Sequence, residues 1–219
     1  MRIRTICLID GFNFYHAIVR QHRNFACFKW CNYRRLAENF LETNDDLQRV
    51  IWFTASAYWD IGKVARHSAL VKAQPEFGVE IVSGKFKKRT IHCPKCDKNY
   101  RPYKEKESDI NLAISLVSNA YENSFDKALL ITGDSDFVPA MKLVKSKFPA
   151  KQIGVIFADS PKNATELREG ADFWRVITRE HLVAAQLPDE IQLANGKTLN
   201  RPPEYRCHTP ALFAPRHSD

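Results

Sequence analysis

The stretch LLITGDSDF, residues 129–137, runs from aliphatics straight into Asp134 and Asp136, two acids separated by one serine. Carboxylates that close repel each other unless something offsets the cost. A helix cap would account for one of them, and a divalent cation would account for both. Two further acids occupy comparable positions. Asp10 follows the aliphatic run TICLI, and Asp109 opens a segment in which Ile110, Ala113, Ile114, Val117 and Tyr121 recur at helical spacing. Four carboxylates without a histidine suit a hard cation held through oxygen, Mg²⁺ or Mn²⁺. Such an ion activates water and stabilises charge on a phosphoryl group. Each acid also has an ordinary explanation. Asp136 could cap a helix starting at 137, Asp109 could answer a helix dipole, and Asp10 could be a turn residue before Gly11.

The elements that must position these acids alternate in type. Strands are expected at 5–9, 49–55, 79–86, 127–132, 152–157 and 173–177. Helices are expected at 33–41, 61–73, from Ser108 as N-cap to Tyr121, at 139–148, 163–170 and 179–187. That order predicts an α/β fold, a mostly parallel sheet covered on both faces and joined by right-handed crossovers. Ligands in such sheets bind at the carboxyl ends of strands, near the point where strand order reverses. Asp10 ends the first strand and Asp134 and Asp136 follow the fourth, so they meet if those strands are neighbours. From Pro188 the pattern dissolves into prolines and polar residues. We therefore expect one domain over 1–187, with a basic insertion at about 85–106, and an extended or disordered tail over 188–219.

Thirty-three Lys and Arg against twenty-five Asp and Glu leave a net charge of +8, which favours polyanionic partners. Much of the excess lies in the insertion. Lys85, Lys87, Lys88, Arg89, Arg101 and Lys104 are interleaved with Phe86, Tyr100 and Tyr103. Cations and rings together suit single-stranded nucleic acid, although a solvated hairpin face would look the same. The insertion also carries CPKC, with Cys93 and Cys96 at the spacing of half a zinc ribbon. Cys27 and Cys31 in CFKWC could complete a structural Zn²⁺ site, or Cys31 could be a packing residue at the start of a helix. No stretch reaches the length of a membrane span, and the N-terminus lacks the apolar core of a signal peptide, so a cytoplasmic protein is the default. No GxxxxGK[ST] loop occurs, and no GxGxxG follows a strand. Phe12 stands where a phosphatase of the haloacid dehalogenase kind would need a second Asp.

Three segments in order, LIDGFNFY, EKESDINLAISLV and LLITGDSDFVPAM, resemble the NYN domain family, PIN-like nucleases that include the LabA-type proteins. The resemblance covers about residues 4–178. It implies a PIN-like three-layer α/β/α sandwich whose central, mostly parallel sheet has the order 3-2-1-4-5. It also implies a metal-dependent ribonuclease, an endonuclease hydrolysing RNA phosphodiester bonds. Carried onto this sequence, Asp10, Asp109, Asp134 and Asp136 would be catalytic and hold Mg²⁺ or Mn²⁺. Asn13 would line the site, Glu107 and Lys106 would support it or contact phosphate, and Thr132 and Ser135 would bind a phosphate or a metal water, or serve as turn residues. The implied partner is RNA, single-stranded or structured, and not a membrane; a homo-oligomer is left open. The alternative is a non-catalytic RNA-binding or scaffold protein on the same fold.

Overall fold

The computed structural model describes residues 2–21, 26–56, 60–88, 90–100 and 103–206. Strand β1 (Ile3–Asp10) is buried from Thr5 onward, as a strand covered on both faces must be. Its alternation sends Cys7 and Ile9 into one core and Ile6 and Leu8 into the other. Helix α1 (Gly11–Gln21) starts at once, a helix that the sequence patterning did not announce. Its buried stripe, Phe14, Ala17 and Ile18, falls at i, i+3 and i+4. Then come α2 (Tyr33–Glu38), β2 (Asp45–Thr54), α3 (Ile61–Ala73) and β3 (Val79–Ser83).

The expected strand at 79–86 is two strands, because the chain leaves the sheet at Gly84. β4 (Lys85–Lys88), β5 (Ile91–Cys93), β6 (Lys98–Tyr100) and β7 (Tyr103–Lys106) form two antiparallel pairs, β4 with β7 and β5 with β6. The register sets Lys85 opposite Lys106 and Lys87 opposite Lys104. Next are α4 (Ser108–Tyr121), β8 (Lys127–Ile131), α5 (Val138–Lys147), β9 (Gln152–Phe157), α6 (Thr165–Gly170), β10 (Phe173–Val176) and α7 (Arg179–Ala184). Ser108 is not the N-cap of α4 but its first residue. Glu107 holds the cap position with a left-handed backbone, φ 80°.

Six strands form one parallel sheet in the order β10-β9-β8-β1-β2-β3. This is the expected order with β10 added at one edge. One core packs α1, α2, α3 and α7 against one face of the sheet, and α4, α5 and α6 bury their apolar residues against the other. The result is a three-layer α/β/α sandwich of the PIN-like kind. Crossovers from β1 toward β2 and from β8 toward β9 run in opposite directions, so the switch point lies between β1 and β8. Among the described residues no helix is long and apolar enough to cross a membrane.

The expectation of a loose tail from residue 188 does not hold over 188–206. β11 (Glu190–Gln192) and β12 (Thr198–Asn200) pair as a hairpin. The Trp30 indole N–H donates to the Pro188 carbonyl at 2.9 Å, and Ile191 and Tyr205 are buried in the core that holds Trp30. Two three-residue strands between prolines are too short to show a period, which is why sequence patterning passed over them. Residues 207–219 lie outside the described residues.

Candidate active site

Asp10 is the last residue of β1 and is 3% exposed. Both of its oxygens are engaged. Oδ1 accepts the Asn13 backbone N–H at 2.9 Å, and Oδ2 accepts the Thr132 hydroxyl at 3.0 Å. Thr132 in turn accepts the Asp134 backbone N–H at 3.1 Å. The Asn13 side-chain oxygen accepts the Gly133 N–H at 3.0 Å. These bonds tie the end of β1 and the start of α1 to the loop after β8, across the switch point. Asn13 and Thr132 thus act as struts between the two loops.

Burial pushes the Asp10 carboxyl up to about 6; the two hydrogen bonds oppose this, and the negative charges of Asp109 and Asp134 add to it. Asp109 and Asp134 are therefore each near enough for their charge to act on Asp10. Asp136 is exposed on the short 3-10 turn Ser135–Phe137. The cap of that turn is Asp134, not Asp136: Asp134 Oδ1 accepts the Asp136 N–H at 3.0 Å. Ser135 is an exposed residue of the same turn. Among the described residues no three His, Cys, Asp or Glu side chains close on one point tightly enough to enclose an ion as they stand. The donor chemistry nevertheless suits a hard divalent cation. The donors are carboxylates, and the burial of the Asp10 carboxylate, to which the charges of Asp109 and Asp134 add, is what a cation would relieve.

Glu107 lies 3.7 Å from the Lys85 ammonium. Its left-handed backbone is strained for a residue with a Cβ, and such strain collects at functional junctions. It is the last residue before α4, which carries Asp109. Lys106 is placed in β7, and its side chain lies outside the described residues, as do those of Lys87, Lys88, Cys93 and Lys104. Arg89 and Arg101 lie outside them altogether.

The four-cysteine zinc expectation is overturned. Cys27 is disulfide-bonded and buried, and Cys31 is fully buried in the apolar core, where desolvation keeps its thiol protonated. Neither can give a thiolate to a site in the insertion. Cys96 sits in the exposed turn between β5 and β6.

Sequence reasoning missed a cavity of about 500 Å³ beside the acids. It begins at Gly11, directly after Asp10, and runs between α1, the carboxyl end of β2 and α3. Phe12, Tyr15 and His16 line it from α1, Trp52 and Thr54 from β2, and His67 from α3. The aromatic clustering in GFNFYH was visible, but without α1 in place nothing showed that those rings face β2.

Comparison with known proteins follows the same outline. A crystal structure of a protein of unknown function from Vibrio parahaemolyticus RIMD 2210633 (VPA0982) superposes with a TM-score of 0.54 at 17% identity, covering 81% of this chain and 94% of that one. That likeness concerns the fold. A curated relative, 6-hydroxy-3-succinoylpyridine 3-monooxygenase HspA from Pseudomonas putida (strain DSM 28022 / S16), is 25% identical over 228 aligned positions, covering 85% of this chain and 70% of the relative. Residues 4–178 match the NYN domain, a span that takes in the whole parallel sheet and every acid at its carboxyl edge. By that match this chain belongs to the NYN domain family, a nuclease-like family.

Proposed function

We propose that the protein is a metal-dependent ribonuclease that cuts RNA internally by hydrolysing phosphodiester bonds. What supports this reading is that Asp10 and Asp134 face each other across the switch point, linked through Thr132 and Asn13, with the charge of Asp109 reaching Asp10 and Asp136 in the turn that follows. Asp10, Asp109, Asp134 and Asp136 would hold Mg²⁺ or Mn²⁺ there, and such an ion supplies Lewis-acid stabilisation of charge on a phosphoryl group. The chain's own residues do the positioning. Thr132 and the Asn13 backbone fix the orientation of the Asp10 carboxylate, and the Asn13 side chain holds Gly133 so that Asp134 cannot drift. Asp134 also stiffens its own turn through Asp136 N–H.

The β4–β7 hairpin supports RNA as the substrate. Its backbone register gathers Lys85, Lys87, Lys104 and Lys106 on one hairpin, a concentration of positive charge that suits a polyanion. Zn²⁺ at Cys93 and Cys96 would stiffen the β5–β6 turn. A second reading rests on the relative named as a monooxygenase of a hydroxypyridine, and the aromatic cavity at Gly11 is the observation that favours a small ring as ligand. The non-catalytic alternative keeps the RNA and drops the chemistry.

The test is cleavage of labelled single-stranded and structured RNA with Mg²⁺, Mn²⁺ or EDTA, comparing wild type with Asp134→Asn. The Asn oxygen can still accept the Asp136 N–H, so the fold should survive. Cleavage that needs the cation and drops on the order of a hundredfold or more in the variant supports the reading. Wild-type protein that binds RNA and cuts none would move the assignment to a binding protein.

A further inference from the structure

The cavity beside Gly11 is apolar at one end and charged at the other. It holds about 500 Å³, within the roughly 300–1,000 Å³ of ligand pockets, which are mainly apolar with a few placed polar groups. At the Gly11 end the walls are rings. The Trp52 indole packs against Gly11 and closes the floor. Phe12, 46% exposed, meets Phe86 of β4 at 6.5 Å between centroids.

The other end lies farther along α1, at Tyr15. Lys29 stands over the Tyr15 ring at 5.1 Å. Tyr205 is near enough to Tyr15 and Arg66 for both to act on its hydroxyl, which burial pushes up to about 12 and so keeps protonated. Arg66 is itself held by Glu204 at 2.8 Å. Glu204 and Tyr205 come from the C-terminal segment, beyond residues 4–178 of the domain match, so this end is not built by the shared domain alone.

The charges decide what fits. Lys29, Lys63 and Arg66 line the cavity, and no carboxylate does among the described residues. Asp60 pairs with Lys63 at 3.3 Å and Glu204 with Arg66, which leaves Lys29 without a carboxylate partner among the described residues. Desolvation holds His67 and, with Arg20 adding to it, His16 below the ordinary value, so both rings are neutral at pH 7. An apolar wall with one uncompensated cation suits a monoanion with an apolar body. The anion belongs at the Lys29 end, since at the Gly11 end it would meet the carboxylate of Asp10.

We infer that this cavity binds a small organic carboxylate, its apolar body against Phe12 and Phe86 and its charge between Lys29 and Arg66. The site uses none of the four acids, so it rests on neither the nuclease reading nor a bound metal.

Calorimetric titration of the full chain tests this in EDTA, where no metal can carry a carboxylate to the acids. Naphthylacetate or octanoate should bind saturably, and the tighter of the two gives the shape of the body. Naphthylethanol, which keeps the ring and loses the charge, should bind about tenfold or more weakly, and naphthylethylamine and succinate not at all. Lys29→Gln should weaken naphthylacetate about tenfold and leave naphthylethanol unchanged. Glu204→Gln, which frees Arg66, should instead tighten naphthylacetate. Opposite signs at two surface charges are not what a loss of folding produces. Asp134→Asn should bind as wild type does. Uridine monophosphate, a dianion with a polar body, should bind about tenfold more weakly than naphthylacetate. Equal binding would give the cavity to an RNA strand and overturn the inference. It is also overturned if neither carboxylate binds, if the alcohol or the amine binds as well, if Lys29→Gln leaves binding unchanged, if Glu204→Gln fails to tighten it, or if Asp134→Asn abolishes it. RNA cleavage without carboxylate binding would sink this site and leave the nuclease reading standing.

Discussion

At the scale of the residue, Asp10 carries a penalty that the metal-free protein should reveal. Its carboxyl titrates at about 6 in the fold against an ordinary 3.8, so the folded state holds the proton more tightly than the unfolded chain. Stability should therefore be highest below pH 4, fall as pH rises from 4 to 6, and be about 3 kcal/mol lower at pH 7 from this group alone. Asp10→Asn removes the charge. In EDTA it should flatten that pH dependence and gain about 1–3 kcal/mol at pH 8 by denaturant unfolding, a gain reduced by any hydrogen bond the amide makes poorly. A variant less stable than wild type at pH 8 would contradict this account. Gly11 makes a second case. A Cβ there would run into the Trp52 indole nitrogen and the Phe53 carbonyl oxygen, and the carbonyl belongs to a strand that cannot yield. Gly11→Ala should cost about 2 kcal/mol or more by the same measurement.

At the scale of the element, the basic insertion departs from the sheet at Gly84 and folds on itself. Its register makes a specific demand, because Lys87 faces Lys104 across β4 and β7. If RNA phosphates lie along these strands, Lys87→Gln with Lys104→Gln should weaken RNA binding and lower the slope of log K against log salt by about 1.4, two single-strand contacts' worth. An unchanged salt slope would free the hairpin of an RNA role. Helix α4 shows how an element end serves a site. The chain enters it through Glu107 in a left-handed conformation, and Asp109 follows within the first turn. The helical period of residues 110–121 was plain in the sequence, but the strained entry was not, because Glu gives no sign of a positive φ.

At the scale of the whole molecule, the sheet order sets β1 beside β8 and so gathers acids more than a hundred residues apart. The segment over 188–206 closes the opposite layer, burying Ile191 and Tyr205 against Trp30 and its neighbours. Truncation after Leu187 should lower stability by roughly 3 kcal/mol or more, from the two buried side chains alone. Thermal unfolding would check it. A truncated protein as stable as the full chain would show that this segment only decorates the domain.

The sequence by itself determined most of the alternation of strands and helices, though neither α1 nor the strand bounds, and which acids follow the strands, because apolar periodicity and acids at strand ends are local signals. It also carried the family, through three short segments in fixed order. Tertiary structure alone decided the rest. Asp134 caps the turn after β8 while Asp136 is left exposed, since the choice depends on which backbone N–H comes within reach. Cys27 and Cys31 went to the core instead of a metal, since burial depends on neighbours far along the chain. The cavity at Gly11 required α1, β2, α3, the insertion and the C-terminal segment to converge, and contacts across such separations leave no period in a sequence.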